Sequence, residues 1–180
     1  MSSRPPDVKI ADATLQLLRE RGPRAVTVEA VAAASGVAKT TIYRRFRDRR
    51  EMLSSALAPA TEPDALPEGL PVEEQIRWMV TEALRAIDDG IGFGGLAALL
   101  TDEDPEFTRA FRSQLTDQRR RFMPLISAGI AAGDIRSDVD LDTLVDAVVG
   151  IYVCERARTG QSAPGTVDRV VALMLPAILA

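Results

Sequence analysis

The chain has no histidine, and Cys154 is its single cysteine among 180 residues. The first absence removes Ser-His-Asp and Cys-His catalysis, histidine-ligated metals and a histidine pH switch. The second removes an internal disulfide framework and any cysteine-rich zinc site. Aromatic residues make up only 4%, with one tryptophan and two tyrosines. No apolar run approaches the roughly 18–20 residues that cross a bilayer. The opening Met1-Ser2-Ser3-Arg4-Pro5-Pro6 has no apolar segment behind it, so no secretory leader is expected. Asp and Glu are plentiful, but no pair stands out as acid and base, so an enzyme is not expected. No metal and no other cofactor is implied. What is present, 46% apolar and 27% charged residues, is the balance of a globular, cytoplasmic protein able to bury a core.

Charge is spread unevenly. Residues 1–60 hold 11 Lys and Arg against 6 Asp and Glu, a net of +5. Residues 61–180 hold 11 against 20, a net of −9. A basic third on an acidic remainder points to a module aimed at a polyanion. A chance fluctuation of composition would give the same numbers, and the charge alone leaves both readings open.

No stretch alternates with period two between turn signals, so the fold is expected to be all-α, with about nine helices. The first runs from about Asp7, a candidate N-cap, to Arg21, with Ile10, Ala13, Thr14, Leu17 and Leu18 on one face and Gly22 as its stop. The second opens at Thr27 and ends at Gly36, with Val28, Val31, Ala32 and Ser35 at helical spacing. A third covers about Lys39 to Phe46, and a fourth starts at Asp48 and packs Met52, Leu53, Ala56 and Leu57. Pro59, Pro63, Pro67 and Pro71 then mark an extended linker. A long helix is expected from Val72 to Asp89, broken by Gly90, Gly92, Gly94 and Gly95, with a short helix over about Gly95–Leu100. Asp104-Pro105 is a cap followed by a proline at the first helical position. The helix it starts contains Pro124, where a kink or break is expected. The last two helices, about Leu141–Arg158 and Thr166–Leu179, are apolar over much of their circumference and need more than one packing partner.

Residues 27–46 form the informative stretch. A short helix, a tight turn at Gly36 and a second short helix follow one another, with Ala32, Ala33 and Ala34 small enough to allow close approach at the crossing. The second helix offers Lys39, Thr40, Thr41, Arg44 and Arg45 outward, while Ile42 and Phe46 anchor it. An exposed helix of that size fits a DNA major groove.

Here the chain resembles the TetR family of bacterial transcriptional regulators. The resemblance lies in Thr27-Val28 with Val31-Ala32, then Ser35-Gly36-Val37, Thr41-Ile42-Tyr43 and Phe46, and the charged stretch leading into Met52-Leu53. It covers residues 7 to about 57. Ala38 stands where the family often has serine. The resemblance implies an N-terminal three-helix helix-turn-helix DNA-binding domain over residues 1–58 and a C-terminal helical bundle for ligand binding and dimerisation over 72–180; the four-proline linker over 59–71 departs from the family's pattern. It implies base-edge contacts from Lys39, Thr40, Thr41 and Arg44. Phosphate contacts are implied for Thr27, Tyr43 and Arg49, and for Arg4 on the N-terminal arm, which could also enter a minor groove. Half-buried packing is the competing role for Tyr43, and a solvated face is the competing one for Arg47, Arg49 and Arg50.

The expected function is a ligand-responsive repressor that binds a pseudo-palindromic, double-stranded operator as a homodimer. A DNA-binding regulator without a small-molecule effector, controlled by abundance or by a protein partner, is the alternative. Dimerisation is expected through the last two helices, at Leu144, Val148, Tyr152, Val167, Val171, Met174 and Ile178; burial within one subunit would explain the same apolar surface. Trp78, Met79, Phe93, Phe107, Phe111, Phe122 and Tyr152 are candidate pocket residues for a largely apolar effector, and ordinary core filling is open to each. The glycines from Gly90 to Gly95 lack the strand and Gly-Lys-Ser/Thr of a phosphate loop. The acidic run Thr101–Glu106 fits helix capping better than calcium. Arg119-Arg120-Arg121 is expected to be a solvated face, and Cys154 a buried structural thiol.

Overall fold

The structure, a computed structural model, describes residues 4–161 and 163–180; the first three residues of the polar N-terminal arm lie outside them. Nine α-helices are present among the described residues. They are α1 (Pro6–Arg21), α2 (Val28–Ser35), α3 (Lys39–Arg45), α4 (Arg49–Thr61), α5 (Val72–Arg85), α6 (Gly92–Leu100), α7 (Pro105–Ala132), α8 (Leu141–Thr159) and α9 (Thr166–Ile178). A 3-10 turn, Pro23–Ala25, precedes α2, and a π-helical turn, Ala86–Ile91, joins α5 to α6. Extended pairing among the described residues is limited to one isolated bridge, Ile135 with Leu179. The fold is all-α, as expected.

The chain forms two compact units, each drawn from two stretches. The first gathers the chain up to Glu62 with Ala86–Thr116, and the second gathers Pro63–Arg85 with Asp117–Ala180. In the first, α1 packs against α2, α4 and α6. The apolar stripe of α1, with Ile10, Leu17 and Leu18, is buried as its spacing predicts. Val31 of α2, Ile42 of α3, and Met52, Leu53 and Leu57 of α4 are also buried. In the second unit, α5 packs against α8 and α9. Ile76, Met79 and Val80 of α5 are buried there, as are Phe122 and Ile126 of α7, Val148 and Tyr152 of α8, and Val170 and Val171 of α9.

Several local expectations are corrected. Asp7 does not cap α1, which starts one residue earlier behind Pro5 with no side-chain cap. Ala33 and Ala34 are exposed, and of the three alanines only Ala32 is partly covered. Pro59 lies inside α4, which runs on to Thr61, so the extended stretch begins at Glu62. Both Pro59 and Ser55, whose carbonyl the proline leaves without a helical donor, are exposed, where water can replace the lost bond. α7 likewise continues through Pro124 without a break, and Pro124 and Arg120 are exposed. The glycines after Asp89 do not end helical structure; they sit in the π turn and in α6. Gly92 has φ +66°, and a Cβ there would lie 3.0 Å from Cγ of Arg19.

α3 is seven residues long and is held to the first unit by Ile42, which is fully buried. Replacing Ile42 by Ala is expected to lower unfolding free energy by about 2–5 kcal/mol, the usual cost of a cavity of that size. Urea unfolding measures it, and a loss below about 1 kcal/mol would mean that α3 is anchored elsewhere.

Candidate nucleic-acid interface

The helix-turn-helix is set by local chemistry. Thr27 has extended backbone, and its hydroxyl accepts the Ala30 amide at 3.1 Å, capping α2. Gly36 closes α2 in the left-handed region, at φ 69° and ψ 12°, which a side chain would strain. The Ser35 hydroxyl accepts the Val37 amide at 3.2 Å and stiffens the turn. Ala38 precedes α3 without a side-chain cap bond, as its lack of a hydroxyl requires. Asp48 caps α4 by accepting the Glu51 amide at 2.8 Å.

Lys39, Thr40, Tyr43 and Arg44 are all exposed. They occupy positions i, i+1, i+4 and i+5 of α3 and therefore form one face, with Ile42 turned the other way. Tyr43 is 57% exposed, so its ring is available rather than packed away. Thr41 is partly covered. An α-helix with its side chains is about 10–12 Å across, which matches a major groove about 12 Å wide. The Lys39 ammonium lies 3.2 Å from the Glu29 carboxylate, and both side chains are more than half exposed. A pair of that kind is heavily screened and exchanges readily. Thr27 is exposed, and a hydroxyl that accepts an amide proton still has its own proton to donate to a phosphate. Arg4, 74% exposed, pairs with Asp12 at 3.0 Å.

Two arginines of this region make contacts within the protein. Arg45 is exposed, as expected, and it donates to both carboxylate oxygens of Asp7 at 2.5 Å, tying the end of α3 to the start of α1. Arg49, expected at a phosphate, has a side chain only 22% exposed. It donates through Nε to the Val26 carbonyl and through Nη2 to the Pro23 carbonyl, both at 2.6 Å. It also donates to Asp104 at 2.7 and 3.3 Å and to Glu106 at 2.6 Å. Asp104 in turn caps α7 by accepting the Phe107 amide at 3.0 Å. Burial pushes the Asp104 carboxyl up, but the Arg49 guanidinium and the Phe107 amide outweigh it and hold the carboxyl below its ordinary range.

The seven candidate pocket residues fall in both units. Phe93, Phe107 and Phe111 belong to the first, where the rings of Phe107 and Phe111 stack at 5.9 Å. Trp78, Met79, Phe122 and Tyr152 belong to the second, where Trp78 meets Phe122 edge to face at 5.6 Å. The Trp78 indole N–H is buried without a hydrogen-bond partner. A groove of about 330 Å³ on the second unit runs along α8 and α9, lined by Leu144, Ala147, Met174, Ala177 and Ile178 among others.

Of the residues expected at a dimer interface, Leu144, Val148, Tyr152, Val171 and Ile178 are buried within the subunit, and Val167 and Met174 are partly covered. The outer stripe of α8 has Gly150 and Cys154 exposed and Ala147 and Ile151 partly covered, and Ala172, Leu173 and Ala177 of α9 are exposed. Leu173 is 65% exposed. Cys154 is exposed rather than buried, because it lies on that stripe. Arg119, expected to be solvated, pairs with Asp142 at 2.8 Å and with Asp146.

Residues 10–56 match the family model described as bacterial regulatory proteins, tetR family. Residues 72–174 match the model described as tetracyclin repressor-like, C-terminal domain. The chain belongs to the TetR family. It is thus a DNA-binding transcriptional regulator by family, and its curated relatives are named as regulators rather than enzymes. One relative, the uncharacterized HTH-type transcriptional regulator YdeS of Bacillus subtilis, is 28% identical over 151 residues, 78% of this chain and 73% of its own length. Another, the HTH-type transcriptional repressor KstR2 of Rhodococcus jostii, is 27% identical over 147 residues, 74% of this chain and 70% of its own. Among solved structures, the transcriptional regulator FadR of Bacillus subtilis in complex with stearoyl-CoA aligns with a TM-score of 0.69 at 19% identity. That alignment covers 93% of this chain and 97% of FadR, and it establishes a shared fold. No helix among the described residues is long and apolar enough to cross a membrane.

The Asp104 carboxyl is depressed on folding, so its contribution to stability is present above an unfolded pKa of about 3.9 and is lost as pH falls through the lower folded value. Asp104→Asn should therefore be less stable than the parent at pH 7, with the gap narrowing once the pH falls below about 3.9. Urea unfolding on either side of that value reads the gap. A gap that stays equally wide in acid would mean that the Asp104 charge contributes nothing to the contact.

Proposed function

We propose that this chain is a homodimeric, ligand-responsive repressor acting in the cytoplasm on a pseudo-palindromic operator. The observation that carries the reading is the single exposed face of α3 bearing Lys39, Thr40, Tyr43 and Arg44. Each subunit lays α3 in one major groove. Lys39, Thr40, Thr41 and Arg44 read base edges, and Thr27, Tyr43 and Arg4 hold phosphates. Residues 1–58 form the reading domain, and residues 72–180 bind the effector and the second subunit.

Dimerisation through α8 and α9 is supported by exposed Gly150 and Cys154 beside partly covered Ala147 and Ile151 on one helix, and by exposed Ala172, Leu173 and Ala177 on the other. Two copies related by a two-fold axis close these stripes into a four-helix bundle. An apolar effector is supported by the Trp78–Phe122 contact, with Met79 and Tyr152 in the same unit, and by the stearoyl-CoA in complex with FadR. The effector releases DNA only by preferring one conformation of the dimer over the other.

A footprint on the DNA upstream of the chain's own gene, followed through a salt titration, tests the reading. Protection of a two-fold site that weakens steeply with salt is expected. Absence of protection there and in a random-sequence selection would sink it. Arg44→Ala should cost about 1–3 kcal/mol and relax specificity at one base pair per half-site. Tyr43→Phe should weaken all sequences alike; a loss confined to one operator variant would contradict a phosphate role. Leu173→Glu should yield monomers by sedimentation, and an unchanged dimer would place the interface elsewhere.

A further inference from the structure

Arg49 is the first residue of α4, and its guanidinium has five N–H donors. Five contacts use them. Nε and Nη2 take the Val26 and Pro23 carbonyls at 2.6 Å each, Nη2 and Nη1 take the two Asp104 oxygens at 2.7 and 3.3 Å, and Nη1 takes Glu106 at 2.6 Å. Three segments of the first unit meet at this one group: the turn that leads into α2, the start of α4, and the first turn of α7. The Asp104 side chain is 10% exposed, so the contact is shielded from water. Two other arginines of the same unit reach in the same direction. Arg24 donates to the Glu103 carbonyl at 2.9 Å, and Arg19 donates to the Asp89 carbonyl. Arg24 is 71% exposed, which leaves Arg49 as the shielded joint.

We infer that Arg49 is a positioning residue for operator recognition: it fixes the helix-turn-helix on the first turn of α7 and touches no DNA itself. The inference rests on the reading of the chain as a dimeric operator binder. A fork with fixed directions fastens the head in one orientation, which a single ammonium cannot do. Each head fastened in this way presents α3 in one orientation, and a dimer of such heads tolerates fewer half-site spacings than one whose heads are loose. With the joint open, each head samples several orientations, and affinity falls by the fraction that remains competent.

The test uses the full-length dimer and fluorescence anisotropy on three operators, the selected site and versions with the spacer one base pair longer or shorter. Arg49→Lys keeps the charge and loses the fork. Asp104→Asn keeps a capping oxygen for the Phe107 amide and loses the charge. Both variants are expected to bind the selected operator roughly tenfold or more weakly and to discriminate less between spacers. Circular dichroism melts identify variants that are folded at the assay temperature, and the spacer preference is a readout that lowered stability alone does not move. Arg49→Ala should leave the salt dependence unchanged, whereas a phosphate contact in each subunit would reduce the slope by about 2. Arg49→Lys with parental affinity and spacer preference overturns the inference. So does a reduced salt slope in Arg49→Ala, or an Asp104→Asn variant that binds like the parent. A parent chain that binds no two-fold site overturns the operator reading and this inference together; a parent that binds while Arg49→Lys binds equally overturns this inference alone.

Discussion

A helix of seven residues has almost no stability of its own in water, because nucleation costs more than two turns of hydrogen bonds return. α3 therefore exists only as far as its surroundings impose it. Ile42 pins one side to the first unit, Gly36 sets the angle at which the chain enters, and the Arg45–Asp7 pair holds the far end. Everything α3 offers to solvent depends on that external hold. α2 is the helix it packs against, and the Arg45–Asp7 pair adds a tie to α1.

That division of labour explains what was legible in the sequence and what was not. The helix-turn-helix was legible because its signals are local: a threonine cap, a left-handed glycine and an apolar anchor within sixteen residues (Thr27 to Ile42). Its exposed face followed from the same spacing. The roles of Arg45 and Arg49 were not legible, because their partners lie 38, 55 and 57 residues away and no local pattern marks them. An arginine that faces DNA and one that closes a joint look alike in sequence.

The second unit failed differently. α8 and α9 are apolar on more than one side, so periodicity identified helices that need two partners without saying which side faces which. Val148, Tyr152 and Val171 turned inward and Leu173 and Cys154 outward. Prolines misled for a related reason. Pro59 and Pro124 each remove one backbone donor, but both are exposed, and the helices carry on around them. The aromatic residues were identified by type alone, and type does not say which unit a ring belongs to. Phe107 and Phe111 pair in one, Trp78 and Phe122 in the other.

The joint at Arg49 has a further property. Burial works against the charged guanidinium, but Asp104 and Glu106 outweigh it and hold the proton even more tightly than an ordinary arginine does. The Asp104 carboxyl is held ionised in the same way. Both partners keep their charges across the whole range of acidity that a living cell experiences. A cell that acidifies or becomes alkaline leaves the joint as it was, and a displacement of any one of the three joined segments bears on all five of its hydrogen bonds at once.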